Sequence, residues 1–317
     1  MAAAARLAQR ARPFSRPNPG VAALVVHQGR VIARGWTQAG GRPHAEAIAL
    51  AGLAPQVLAQ ATLYVTLEPC AHVSARGPAC ADLILAARPA RVVIGQLDPD
   101  PRTAGQGIAR LQDAGIEVRL LDDPASAASL AGFLTRQRLG RPWVTLKLAT
   151  SLDGCIALAD GTSQWITGET ARHHVHARRA RHDAILVGGG TWRADSPRLD
   201  VRLPGLEARS PSRVVLTRGA APAAGVTAIP SPQAIASLDG VLHLYVEGGA
   251  ATAAAFLAAD LVDELHLYTA PIVIGDGRRS IGALGLSSLA DAHGRWHLHE
   301  RRQLGSDQFT AYLRTRD

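Results

Sequence analysis

The tightest constraint on this chain is a set of metal-binding side chains that lie far apart in sequence. His44-Ala45-Glu46, Glu68-Pro69-Cys70 and Pro78-Ala79-Cys80 supply one imidazole and two thiols. Zinc takes borderline and soft ligands of this kind, and a His/Cys/Cys set leaves the fourth tetrahedral position open for water. Any fold that uses the set must bring three separate segments to one point. The local sequence predicts a helix from His44 to about Leu53 and another over Ala79–Ala87. A helix N-terminus beside the cysteines would favour their thiolate forms. Glu46 follows the imidazole by two residues, so it can reach a water in the open position without ligating the metal. The rival is a closed structural site with His72 as fourth ligand, which has no use for Glu46.

Around these segments, strands and helices alternate. A short helix near Ala3–Ala11 precedes a hairpin, Ala22–Val26 and Val31–Gly35, turning at Gln28-Gly29. Strands follow at Thr62–Leu67, Arg91–Gly95 and Glu117–Leu121, with a helix near Gly107–Ala114 and a helical stretch over Asp122–Arg141. Such alternation predicts a three-layer α/β/α domain. Gly140-Arg141-Pro142 marks a join, giving domains of 1–142 and 143–317. A second series then runs through strands Val144–Thr150, Ala184–Val187, Leu242–Glu247 and Glu264–Thr269, with helices near Glu169–Ala180 and Thr252–Ala259. Residues 205–235, rich in Pro, Ala and Gly, carry no pattern.

Composition narrows the partners. The net charge of +8 suits anionic ligands such as phosphates and dinucleotides. The basic residues are scattered and not interleaved with aromatics, which argues against nucleic acid. Three cysteines are too few for a disulfide framework, and the longest apolar runs are too short to span a bilayer. A cytoplasmic, membrane-free protein is expected. The N-terminus lacks acidic residues before Glu46, like a transit peptide, but runs unbroken into Pro17-Asn18-Pro19 and is read as the first helix.

His-x-Glu with Pro-Cys and a second Cys is the pattern of zinc nucleobase deaminases. Nine residues, Ala71 to Ala79, separate the two cysteines here, whereas deaminases of nucleic acid or free cytidine typically have two. Together with PNPG, TLYVTLEPCAH and DPDPRTAGQGIARLQDAGIEV, the longer loop resembles the riboflavin-biosynthesis deaminase–reductase family. The resemblance implies a cytidine-deaminase-like first domain hydrolysing the 2-amino group of 2,5-diamino-6-ribosylamino-4(3H)-pyrimidinone 5′-phosphate. It also implies substrate contacts at Asn18, His72 and Arg76.

In the second half no G-x-G-x-x-G fingerprint occurs. Two strands instead run into glycines, at Val187-Gly188-Gly189-Gly190-Thr191 and Glu247-Gly248-Gly249. Glycine lets backbone approach a ligand, and free N–H groups at a helix start attract phosphate. TLKLATSLDG, SQWITG, RARHDAILVGGGT, ADSPRLDVR and VEGG continue the same resemblance. It implies a dihydrofolate-reductase-like domain that uses NADPH to reduce the ribosyl group to ribityl. Ser163, Arg179, Leu199, Arg202 and Glu247 would surround the ribose phosphate, and Ala149, Trp165, Thr191, Asp195 and Gly249 the cofactor. Lys147 would steady charge near the sugar, and homo-oligomers are expected. The run Arg172–His176 is read as a mostly solvated helix carrying Arg179, not as a second metal site. The chain departs from the family pattern at Ala22, at the loop between the cysteines (one residue longer), at Cys155, at Ser196 and at Thr217-Arg218.

Overall fold

A computed structural model describes residues 1–72, 74–219 and 223–316. The chain divides into two compact units, residues 1–140 and 141–317, so the join falls after Gly140, two residues before the expected one. Gly140 closes the last helix of the first unit at φ +68, a conformation glycine adopts without a Cβ penalty.

The first unit runs α1 Ala2–Ala8, β1 Ala22–His27, β2 Arg30–Trp36, α2 Ala45–Leu50, α3 Pro55–Leu58, β3 Thr62–Leu67, α4 Cys80–Ala87, β4 Arg91–Gln96, α5 Gln106–Asp113, β5 Glu117–Leu120, α6 Pro124–Ser129 and α7 Ala131–Leu139. Its strands form a sheet in the order β2-β1-β3-β4-β5. β1 is antiparallel to β2 and β3, while β3, β4 and β5 are parallel. The register places Gly35, Ala23, Val65 and Ile94 in one row across the sheet. Gly35 meets α2, whereas Gly95, the next residue after Ile94, meets Ser126 of α6. Successive strand residues face opposite ways, so α2 and α6 cover opposite faces and the layers are helix, sheet, helix.

Two expected helices are shorter or broken. α2 stops at Leu50 because Ala51 is extended and Gly52 takes φ +74. The stretch 122–141 is two helices: Asp123 caps the first by accepting the Ser126 N–H at 2.8 Å, and Leu130 leaves helical geometry between them.

The second unit comprises β6 Trp143–Thr150, β7 Cys155–Leu158, α8 Glu169–Arg179, β8 Ala184–Gly188, α9 Gly189–Asp195, β9 Ser212–Leu216, β10 Val226–Ile229, β11 His243–Val246, α10 Ala250–Ala258, β12 Glu264–Thr269, β13 Gly277–Arg279, β14 Trp296–Leu304 and β15 Asp307–Arg314. The main sheet has the order β10-β9-β8-β11-β6-β12-β15-β14, and β15 is antiparallel to both its neighbours. β9 and β10 lie inside the stretch the sequence left unpatterned, of which residues 220–222 are outside the described residues.

Alternation along β6 and β8 sorts the core. Val144, Leu146, Leu148, Ala184 and Leu186 pack with Phe256 of α10, while Ile185 and Val187 pack with Val175 of α8. Each large apolar side chain buried this way contributes about 1.5–3 kcal/mol. The same alternation turns Thr145, in register with Tyr245, and Lys147, in register with His266, toward the α8 side. Helix α8 is therefore not mostly solvated, contrary to the sequence reading. Ala171, Val175 and His176 are buried and His174 bonds Tyr268 at 2.8 Å; of its run of histidines only His173 is exposed.

The close seat of α2 on the sheet depends on Gly35. A Cβ there would lie 2.1 Å from the Ala45 carbonyl and 2.8 Å from the Ala49 nitrogen. Gly35→Ala should lower stability by about 1–3 kcal/mol, the usual range for overpacking. Because the displaced helix starts next to His44, the variant should also retain less zinc. Thermal unfolding and metal analysis on the same preparation check both.

Candidate active sites

In the first unit, His44 is the residue before α2, Cys80 opens α4, and Cys70 follows β3 by three residues. Their ligand atoms all lie within 4.8 Å of one another. His44 Nδ1 is 3.2 Å from Cys80 Sγ and 3.6 Å from Cys70 Sγ. Tetrahedral zinc bonds of the usual lengths put sulfur and nitrogen ligands about 3.6 Å apart, so the donors fit that ion. His72 is outside the cluster; its Nδ1 pairs with Thr103 Oγ1 at 3.4 Å. The set is thus three ligands, as an open catalytic site requires.

The start of α4 prepares the thiolate. The Cys80 backbone N–H donates to Cys70 Sγ at 3.3 Å. The Cys80 thiol, that N–H and His44 together hold Cys70 down to a pKa of about 4, against the pull of burial. Cys80 is correspondingly pushed up, chiefly by sharing its proton with Cys70 and by burial. Glu46, 3 % exposed, lies beside Cys80, and burial raises its carboxyl above the usual range. A carboxyl so placed exchanges protons more readily near neutral pH than an exposed one. His44, Glu46 and Cys70 line a cleft of about 340 Å³ that also includes Asn18, His72, Arg76, Asp98 and Asp100.

In the second unit, Glu247 is the first residue after β11. Arg179 of α8 grips it with two bonds, Nε to Oε1 at 2.6 Å and Nη2 to Oε2 at 2.9 Å. Lys147 Nζ lies 3.9 Å from the same carboxylate. Burial alone would raise Glu247, but Arg179 and then Lys147 outweigh it and bring it to about 2. Burial, with Arg179, lowers Lys147 more than Glu247 raises it. Arg179 Nη1 also donates to the Asp200 carbonyl at 3.0 Å, which ties the Leu199–Arg202 turn to α8. Leu199 there is buried at φ +56. The two glycine junctions adjoin: a Cβ on Gly249 would sit 3.9 Å from Thr191 Oγ1.

Residues 142–309 match the RibD C-terminal domain, and residues 1–96 match the cytidine and deoxycytidylate deaminase zinc-binding region. The chain is 38 % identical to the riboflavin biosynthesis protein RibD of Escherichia coli, over 97 % of this chain and 96 % of that one. The Bacillus amyloliquefaciens protein of that name is 40 % identical, over 87 % and 84 % of the two chains. The chain belongs to the RibD family. Among solved structures, Acinetobacter baumannii RibD superposes with a TM-score of 0.85 at 33 % identity, covering 99 % of this chain and 97 % of that one. A Thermotoga maritima diaminohydroxyphosphoribosylaminopyrimidine deaminase/5-amino-6-(5-phosphoribosylamino)uracil reductase does so with a TM-score of 0.85 at 29 % identity, with the same coverage.

In this RibD chain the structure brings together His44, Cys70, Cys80 and Glu46, with Asn18, His72 and Arg76 around the same cleft. It also brings together Lys147, Arg179, Glu247 and the Leu199–Arg202 turn, and places Thr191 beside Gly249. Arg202 itself is half-exposed, its Nε 3.5 Å from Asp200 Oδ1. Ala149 lies on β6 opposite Tyr268. Ser163, Trp165 and Asp195 are exposed, and no bond joins them to the Glu247 cluster; Trp165 instead lies under the Arg172 guanidinium, 4.7 Å away.

Sequence reasoning missed Glu68, which it took only as part of the cysteine motif. That buried carboxylate accepts the N–H groups of Asp98 (3.3 Å), Gly105 (3.0 Å) and Ile108 (3.1 Å). It pins the loop after β4 and the start of α5 against the Cys70 segment. The signal available was Gly107, where a Cβ would lie 2.2 Å from the Pro69 carbonyl.

Metal analysis of the protein purified without chelator should find one zinc per chain. Cys70→Ala or Cys80→Ala should lose it, and Glu46→Gln should keep it. For the second unit, Glu247→Gln leaves Arg179 buried without its anion, a loss of about 3–5 kcal/mol. Glu247 has a lowered folded pKa. Its contribution is therefore present above the unfolded value of about 4.3 and is lost as pH falls toward 2. Denaturant titrations at pH 7, 5 and 3 should show the gap between wild type and variant narrowing as the pH falls.

Proposed function

We propose that this RibD chain performs two successive reactions of riboflavin biosynthesis. The first unit hydrolyses the 2-amino group of 2,5-diamino-6-ribosylamino-4(3H)-pyrimidinone 5′-phosphate. The second then reduces the ribosyl group to ribityl with NADPH, giving 5-amino-6-ribitylamino-uracil 5′-phosphate. The observation that carries the reading is a three-ligand His/Cys/Cys set with a buried, non-ligating carboxyl beside it, in a cleft large enough for a nucleotide-sized ring. The family supplies the substrate.

His44, Cys70 and Cys80 would hold zinc, which when bound supplies the Lewis acidity that makes water nucleophilic near neutral pH. Glu46 accepts a proton as the hydroxyl adds to C2 of the ring and returns it to the departing amine, which leaves as ammonia. Its raised pKa suits a group that must both take and give. Asn18, His72 and Arg76 orient the pyrimidine and its ribosyl arm from the cleft wall.

In the second unit, Arg202 carries a guanidinium fork matched to the ribose phosphate, and Arg179, whose own fork is held by Glu247, adds its positive charge beside it. Lys147 and Glu247 stand by the sugar carbon that receives hydride, where Lys147 balances the charge that develops on oxygen. The fit for NADPH rests on the glycine junctions. The N-cap of α10 is Gly249 and no side chain caps the helix, so its first N–H groups are free for a cofactor phosphate, with Thr191 adjacent. Ala149, Trp165 and Asp195 complete the proposed cofactor contacts, and Ser163 and Leu199 those of the substrate. NADPH chemistry belongs to the cofactor; the protein contributes placement and charge.

The test is to incubate the zinc-loaded protein with the diamino-ribosylamino-pyrimidinone phosphate, with and without NADPH, and to follow mass. Without NADPH the product should have exchanged one amino group for oxygen; with NADPH it should gain two hydrogens. Glu46→Gln should lower deamination by at least about 100-fold, in the range for loss of a general acid–base group. Glu247→Gln should deaminate normally and fail to reduce. No deamination by the wild type would overturn the reading.

A further inference from the structure

Three guanidinium groups line the zinc cleft, those of Arg42, Arg76 and Arg102. Two have partners, of which only one is an anion. Arg102 forks onto Asp100, Nε to Oδ1 at 3.0 Å and Nη2 to Oδ2 at 2.6 Å. Arg76 Nη2 donates to the Gly40 carbonyl at 2.7 Å, which fastens the loop between the cysteines to the segment that carries Arg42. Arg42 itself forms no hydrogen bond or ion pair with any described residue, although it is half-buried. Its Nη1 lies 3.2 Å from the point a Cβ on Gly77 would occupy, so that loop is cut back to glycine beside the guanidinium. A cation partly withdrawn from water without an anion is unfavourable, and a ligand that brings the anion relieves that.

We propose that Arg42 is the phosphate-binding residue of the deaminase cleft and makes that cleft selective for the 5′-phosphorylated substrate. The inference rests on the deaminase reading given above and adds to it the residue that reads the phosphate. Arg42 precedes His44 by two residues, a backbone span of at most about 7 Å. One short segment thus presents the imidazole for zinc and the cation for the far end of the same substrate. A guanidinium fork matches two oxygens of a phosphate monoester. Asp98 and Asp100 also line the cleft and would repel a phosphate on their side, where Arg102 is already spent on Asp100. Arg42 and Arg76 both keep their charge, and of the two Arg42 is the one that is half-buried and has no partner among the described residues.

The experiment compares deamination of the phosphorylated substrate and of its dephosphorylated form by wild type, Arg42→Ala and Arg102→Ala, each shown to hold one zinc. Arg42→Ala should lose about 10- to 100-fold in kcat/KM on the phosphorylated substrate, the range for one charge-assisted contact. It should stay within about twofold of wild type on the dephosphorylated one, and inhibition of wild-type deamination by ribose 5-phosphate should weaken in the variant. Equal losses on both substrates, no loss on either, or a phosphate-selective loss in Arg102→Ala instead would each overturn the assignment. A wild type inactive on both substrates would overturn the functional reading, and calorimetric titration with ribose 5-phosphate then decides the inference. It survives if Arg42→Ala binds one equivalent fewer than wild type and falls if the two bind alike.

Discussion

Both halves of this protein are organised around a buried carboxylate at the carboxyl end of a central strand. Glu68 follows β3 and Glu247 follows β11, and each continues the sheet by donating its N–H to the neighbouring parallel strand, to Gln96 and Leu186 respectively, at 2.8 Å. A carboxylate so placed must be matched by donors or charges, because an unpaired buried charge costs several kcal/mol. The two halves meet that demand differently. Glu68 is surrounded by three backbone N–H groups and has no cation within its hydrogen bonds, so it fixes loops. Glu247 is matched by Arg179 and Lys147, which leaves charged side chains clustered where a ligand can meet them.

That difference decides what each carboxylate can do. By fastening the loop after β4 and the start of α5, Glu68 builds the wall against which Cys70 rests, and the metal site inherits its rigidity. Cys70 then receives an N–H from the first turn of α4, which favours its thiolate form. The carboxyl proposed for the chemistry is a separate group, Glu46, supported by α2 and kept out of water, and its burial raises its pKa. Division of labour between a structural and a chemical carboxylate is what lets one site be both rigid and able to trade protons. The reductase cluster has no such division: Glu247 both orders Arg179 and stands at the site.

The metal centre was legible in the sequence because its parts sit at element starts with short, fixed offsets. His44 and Cys80 begin helices, and Glu46 follows one ligand by two residues. The strands that bear the sites were equally plain, since Thr62–Leu67 and His243–Val246 are mainly apolar, aromatic and β-branched. What stayed hidden depended on partners distant in sequence. β9 and β10 are short, and their place follows from pairing with β8, which no local pattern announces. β14 is largely exposed and is held mainly by its pairing with β15. Helix α8 looked solvated because its sequence is basic, yet His174 packs on Phe309 and Arg178 meets Glu300, both on strands that follow it by more than a hundred residues.

Of the residues that the family resemblance implies for the second site, some are held together by the fold and others stand apart on the surface. Arg179, Glu247 and Lys147 meet because strand register and one helix face bring them together, and register in a sheet buried on both faces cannot slip without inverting every side chain. Ser163, Trp165 and Asp195 lie on exposed segments whose position no such register fixes. Where the backbone is held by the sheet, the identity of a residue is enough to place its chemistry. Where a loop carries the residue, as with Ser163 and Trp165, or the end of a short exposed helix, as with Asp195, its place must come from the bound cofactor or substrate, so these three are the positions at which ligand binding has most to order.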